Sequence, residues 1–151
     1  MDNLNAAGIG YAGFWKRFAA FLIDALIITI VVFGFGIVLA VFLIYASDVA
    51  PDALEEPAAE AGFNILELLI SSSYFIFMEC SRFKGTIGKI ALGIKVTDLE
   101  GNQIGFGKAF CRYFLKILSA IIIGIGFLMV AFTERKQGLH DSISGCLVAN
   151  K

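Results

Sequence analysis

A few charged and hydroxyl side chains interrupt stretches that are otherwise apolar, and any chemistry of this chain starts with them. Asp24 is the one charge in the 28 residues from Phe18 to Tyr45, and Lys16 and Arg17 precede that run. Arg17 and Asp24 lie seven apart. Seven steps of about 100° return almost to the start, so on a helix they share a face, two turns apart. Glu67 and Ser71 stack on one face of the next apolar segment, and Ser72 and Glu79 on another. A carboxylate facing lipid costs roughly 2.5–3.5 kcal/mol or more. Asp24 must therefore face protein or water, or be neutral. Burial favours a protonated carboxyl and a nearby cation favours an ionised one. A group held between these effects suits the exchange of a proton for a cation. Asp24, Glu67, Ser71 and Glu79 form the candidate ion path. The competing reading makes the charges a buried network that fixes how the first helix meets the rest of the chain.

Composition excludes several other chemistries. The 151 residues are 58% hydrophobic and 17% charged, with a mean hydropathy of +0.83 and a net charge of −1. Soluble domains are about 45–50% apolar and about 25% charged, so the excess implies lipid contact. Three cysteines, Cys80, Cys111 and Cys146, are too few and too spread for a disulfide framework or a zinc signature. No metal or cofactor is expected. Cys111, His140 and Asp141 are residue types found in nucleophilic sites, but their spacing does not bring them together, so an enzyme is not expected. Gly85-Thr-Ile-Gly-Lys89 lacks the spacing of a phosphate loop and has Ile90 where Ser or Thr is needed, which argues against nucleotide binding. No nucleic-acid partner is expected.

The elements that position these residues can be read from hydropathy. Residues 1–13 read as a flexible lead-in. Phe14, Trp15, Lys16 and Arg17 form an interfacial anchor. A first helix over about 16–45 is about 42 Å long, enough to cross a hydrocarbon core of about 30 Å. It is too long for a cleavable signal and reads as a signal anchor. Gly34 and Gly36 within it suit close helix packing or a bend. Loop 46–62 holds five acidic residues, both prolines and no lysine or arginine. A second helix covers about 63–80. Loop 81–112 is basic and glycine-punctuated. In it Ile94–Thr97 alternates like a short strand, and Gln103–Phe106 can return as a second after the turn at Gly101-Asn102. A third apolar segment covers about 113–132. The tail 133–151 ends in CLVAN, a further possible strand. The expected fold is an all-α polytopic membrane protein with two spanning helices, a third hydrophobic segment and a small cytoplasmic β element.

Charge asymmetry sets the sides. Lys16 and Arg17 precede the first helix, and six positive residues lie in loop 81–112. The N-terminus and loop 81–112 are expected to be cytoplasmic and loop 46–62 external. The third segment is either a straight span or a re-entrant hairpin bent near Gly124-Ile-Gly126. The hairpin is favoured: it keeps every lysine and arginine inside and lets CLVAN pair with IKVT.

These residues resemble the RDD family of small membrane proteins. KRFAAFLID carries Arg17 and Asp24. KGTIGKIALGIKVTDLEGNQIGFGKAFCRYFLK is similar to the family's central block, with Gly85, Thr86, Gly88, Lys89 and Gly93. RKQGLHDSISGCLV is similar to its closing block, with Asp141 as the second aspartate. Cys146 departs from the pattern, which more usually has threonine there. The resemblance covers Phe14 to Ala149 and implies the signature Arg17, Asp24 and Asp141. It implies either transport, including monovalent cation/proton exchange, or assembly with larger membrane complexes. The resulting expectation is a multi-pass protein of the cell membrane, in contact with lipid, that exchanges small cations and protons around Asp24 and works as a homo-oligomer or with a partner membrane protein. The alternative is an adaptor with a cytoplasmic docking face. A meeting of Arg17 with Asp141 would favour the hairpin.

Overall fold

Helix α1 spans Phe14–Ala46, 33 residues without proline. In this computed structural model, which describes residues 10–46, 50, 56–121 and 125–151, its large apolar side chains point away from protein. Ile30 and Phe33 are 63% and 70% exposed, whereas the buried residues of α1 are Ala20 and Asp24. So long an exposed apolar surface has lipid as its matching solvent. Helix α2, Pro57–Cys80, begins six residues before the apolar pattern at Phe63 does. Pro57 is suited to a first helical position, where its missing N–H costs nothing. Both helices are long and apolar enough to cross a membrane.

The chain divides into two compact units: one runs up to Asp24 and resumes over Tyr74–Lys151, and the other is Ala25–Ser73. The second holds the apolar lengths of α1 and α2 and an open groove of about 390 Å³ lined by Val32, Phe33, Gly36, Asn64 and Glu67, among others. A Cβ added at Gly34 or Gly36 would meet nothing within 4 Å, so neither glycine marks a close helix contact here.

The first unit adds α3 (Ile87–Ala91), β1 (Ile94–Asp98), α4 (Phe106–Ile121), α5 (Ile125–Phe132), α6 (Leu139–Ser144) and β2 (Cys146–Asn150). The strands pair antiparallel, with Val96 opposite Val148 and Asp98 opposite Cys146. CLVAN thus pairs with IKVT. Tyr11 bridges to Ala149, and the Ala12 N–H donates to the Val148 carbonyl at 2.8 Å, which ties the start of α1 to the sheet. Gly145, at φ 62°, ends α6 in the left-handed conformation and turns the chain into β2. Ile94, Val96, Ile104, Ala109, Cys146 and Val148 form the core.

Two expectations change. No second strand forms at Gln103–Phe106. The Asp98 carboxylate accepts the N–H groups of Glu100 and Asn102, at 3.1 and 2.7 Å, and closes a turn, after which helix α4 starts at Phe106. That start lies seven residues before the apolar run at Tyr113, because Lys108 and Arg112 interrupt the run without interrupting the helix. Phe106, Phe110 and Phe114 share the exposed face with Phe77, their successive ring centroids 4.6–6.1 Å apart, while Ala109, Arg112 and Ser119 are buried. The helix is amphipathic with its polar side inward. The third apolar stretch contributes α4 and α5. The bend expected at Gly124 lies outside the described residues.

Candidate functional site: a buried charge network

Asp24 is 1% exposed and satisfied by neutral donors. The Tyr74 hydroxyl donates to Oδ1 at 2.8 Å, the Gly88 N–H donates to Oδ1 at 2.7 Å, and the Thr86 hydroxyl donates to Oδ2. Tyr74 Oη in turn accepts the Ile87 N–H at 2.9 Å. Close approach of backbone makes this possible. A Cβ at Gly88 would overlap the Ala20 carbonyl oxygen and stand 3.0 Å from the Asp24 carboxyl. The run Gly85-Thr-Ile-Gly-Lys89 therefore has a physical reading: Thr86 and Gly88 grip Asp24, and the next residue, Lys89, reaches another acid.

That acid is Glu79, also 1% exposed. Lys89 and Lys116 donate to its Oε1, the latter at 2.9 Å, and Arg112 donates to Oε2 at 2.7 Å. Arg112 is equally buried and bridges to Asp141, its Nε and Nη2 each 2.7 Å from Oδ1. Arg17 and the Gly138 N–H donate to Asp141 Oδ2, the latter at 3.3 Å. Arg17 also donates to the carbonyls of Lys136 and, at 3.0 Å, Ala12. Four cations thus surround two carboxylates, and one side chain, Arg112, joins the two halves.

Burial sets the titration of the groups outside the spanning helices. It brings Lys89 down to about 7; Glu79 opposes the shift, and Lys116 and Arg112 add to it. Burial raises the Asp141 carboxyl, but Arg112 and Arg17 together outweigh it and hold the group well below the usual carboxylate range. Burial drives His140 to about 3, so its ring is neutral at pH 7 beside Asp141, 3.4 Å away.

The signature residues do not form one cluster. Arg17 and Asp141 meet, but Asp24 is held by Tyr74, Thr86 and Gly88 instead of a cation. Glu79, expected on the ion path, is buried among cations. Glu67 is exposed and, with Ser71, belongs to the other unit; the Ser71 hydroxyl donates to its own helix at Leu68, 3.2 Å away. The four residues of the expected path are thus divided between the two units, Asp24 and Glu79 in the first, each with its own donors, and Glu67 and Ser71 in the second. Gly93, at φ 63°, turns the chain into β1, and Gly85 lies against Lys89. Tyr74, Arg112 and Lys116 were missed from the sequence. Arg112 and Lys116 carried a readable signal: two cations at i, i+4 on a helix rich in Phe and Leu require acids to face. Among the described residues no group of His, Cys, Asp and Glu could hold a metal.

Two helices of spanning length, a two-stranded sheet and a buried arginine–aspartate network define a helical membrane protein. The chain belongs to the RDD family, whose model matches residues 11–145. It is 38% identical over 151 residues to the uncharacterized protein YxaI of Bacillus subtilis (strain 168), covering 93% of this chain and 97% of that one. It is 30% identical over 147 residues to the uncharacterized membrane protein YteJ of the same organism, covering 93% and 82%. No solved structure matches it.

Proposed function

We propose that the protein is a multi-pass adaptor of the cell membrane that presents a small cytoplasmic α/β platform to another membrane protein, with the charge network as the lock that holds the platform together. One observation carries this reading. Each buried carboxylate already accepts from protein donors: Asp24 from three neutral groups, Glu79 from three cations, Asp141 from two arginines and an N–H. A cation-exchange site needs carboxylate oxygens free to accept a cation, and these are occupied.

The same contacts support the topology. The start of α1, β1, and the segment from Lys136 to Asn150 join through Arg17–Asp141 and the strand pairing, which suits a cytoplasmic N-terminus and tail. With the tail on that side, α4 and α5 form a re-entrant hairpin whose Phe-lined face meets lipid. The proposal gives no catalytic role to Cys111, which is exposed, or to His140 and Asp141, which are buried.

A second reading keeps proton exchange but moves it from Asp24 to Lys89 and Glu79. Its support is a buried lysine that titrates at about 7, where a proton can be gained or lost at physiological pH. The two readings part on one experiment. Affinity purification of the tagged protein from crosslinked native membranes yields a stoichiometric partner membrane protein in the adaptor reading. Recovery of this chain alone, as monomer or homo-oligomer, contradicts it.

A further inference from the structure

The first turn of α1, the end of α5 and Lys136 beyond it border an open groove of about 600 Å³. Phe14, Trp15, Val130 and Ala131 supply its apolar wall, and Lys16 and Lys136 its charge. Two features set its depth in the membrane. A 33-residue apolar helix begins here, and Trp15, 77% exposed, packs edge-on against Phe14 and Phe18. Exposed tryptophan beside cations at the start of a spanning helix belongs at headgroup depth.

A hydrogen bond holds the Lys16 ammonium, and two hold the Lys136 backbone. Lys16 Nζ donates to Asn150 Oδ1 at 2.8 Å, which leaves two of its N–H donors unused by that bond. Lys136 Nζ lies 3.9 Å from the point where a Cβ on Gly13 would stand, over the start of α1. The Lys136 backbone is left-handed, at φ 49°, which is uncommon outside glycine. It is held there by its N–H donating to Thr133 at 3.0 Å and by its carbonyl accepting from Arg17. The network therefore fixes Lys136 as well as Asp141. Among the described residues neither Lys16 nor Lys136 lies within ion-pair distance of a carboxylate.

We propose that this groove binds the headgroup of an anionic phospholipid, the phosphate between Lys16 and Lys136 and the acyl chains along the exposed apolar side of α1. The fit is one of charge and depth. Two ammonium groups with no carboxylate partner among the described residues favour a headgroup with net negative charge over a zwitterionic one, whose own cation they repel. The aromatic wall suits the glycerol and upper acyl region rather than a free ion.

The chain has one tryptophan, and it lines the groove, so its fluorescence reports on the site. The full chain is reconstituted into phosphatidylcholine bilayers in which either phosphatidylglycerol or phosphatidylcholine, at equal mole fraction, carries bromine on its acyl chains. One lysine near an anionic surface is worth about a fivefold gain in binding. Brominated phosphatidylglycerol is therefore expected to quench Trp15 as if enriched at least about fivefold over brominated phosphatidylcholine. K136Q is expected to remove most of the difference and K136R to restore it. K16Q serves as a second route if K136Q fails to fold by circular dichroism. K108Q, which changes an exposed lysine outside the groove, should leave it intact. Equal quenching by the two lipids overturns the proposal, as does an unchanged difference in folded K136Q and K16Q. An equal loss in K108Q means general surface attraction and also overturns it. Relief of quenching by millimolar inorganic phosphate assigns the site to free phosphate and overturns the lipid assignment.

Discussion

Asp141→Asn separates a structural lock from an incidental surface pair. Asp141 is fully buried and takes both Arg112 and Arg17, whose side chains are 2% and 12% exposed. The amide keeps the shape but loses the charge, and its NH2 faces a guanidinium that also only donates. Breaking a buried ion pair by removing one partner costs about 3–5 kcal/mol, because the other charge stays buried without compensation. The Gly138 N–H also loses its partner at the start of α6, a smaller and overlapping cost. For a chain of this length each kcal/mol lowers the melting temperature by about 2–4 °C, so a fall of roughly 6–20 °C is expected. Asp24→Asn is the internal comparison. Its three partners are neutral, and the variant leaves one donor unsatisfied at about 1–3 kcal/mol. Thermal unfolding of the purified protein in one detergent ranks the two directly. Adding Arg17→Met to Asp141→Asn should recover part of the loss, since one stranded charge is gone. A melting temperature for Asp141→Asn within about 3 °C of wild type, or a larger fall for Asp24→Asn, would refute the reasoning.

The same geometry yields further outcomes. Gly88→Ala should destabilise by about 3 kcal/mol or more, because the clash is with the backbone carbonyl of Ala20, which cannot rotate away; a melting curve like wild type would contradict the contact. Gly93→Ala has open space and only a left-handed φ to strain, so it should cost less, about 1–2 kcal/mol. Lys89 titrates near 7 when folded and near 10.5 when unfolded. The unfolded chain holds the extra proton across that window, so stability should rise with pH from about 7 to 10.5, by up to about 1.4 kcal/mol per unit, and Lys89→Met should flatten the rise. His140 is shifted in the same direction lower on the scale, so stability should fall as pH drops from about 6.5 toward 3, and His140→Gln should reduce that acid sensitivity. Asp141 adds a further loss below its ordinary value of 3.8, as its stabilising charge is removed.

The sequence showed which residues needed partners better than it showed the partners. A lone carboxylate in 28 apolar residues cannot face lipid, so the burial of Asp24 was readable from spacing alone. Its donors were not. Thr86 and Gly88 lie 62 and 64 residues away, and hydropathy carries no information on which loop folds back. Arg17 was expected to share a face with Asp24, and seven residues of helix do place it so. A shared face two turns apart does not make a contact, and the long guanidinium side chain reaches Asp141 of α6 and the Lys136 carbonyl instead. The pairing of IKVT with CLVAN was readable from the alternation of the first, the short apolar run of the second and the requirement of a common side. The early start of α4 was hidden because an apolar-run count stops at a charge. A helix that buries its arginine and exposes its phenylalanines reverses the usual pattern, and such a face calls for an apolar surrounding, as the proposed hairpin in lipid supplies.

The central claim is that these buried charges are a lock and not a transport path. Cation-driven proton movement in everted membrane vesicles, with wild type, Asp24→Asn and Glu79→Gln at equal abundance, tests it most directly. The account predicts no response to sodium, lithium or potassium in any of the three. Collapse of the proton gradient by one of these cations in wild type, lost in a folded Glu79→Gln or Asp24→Asn protein, would contradict it.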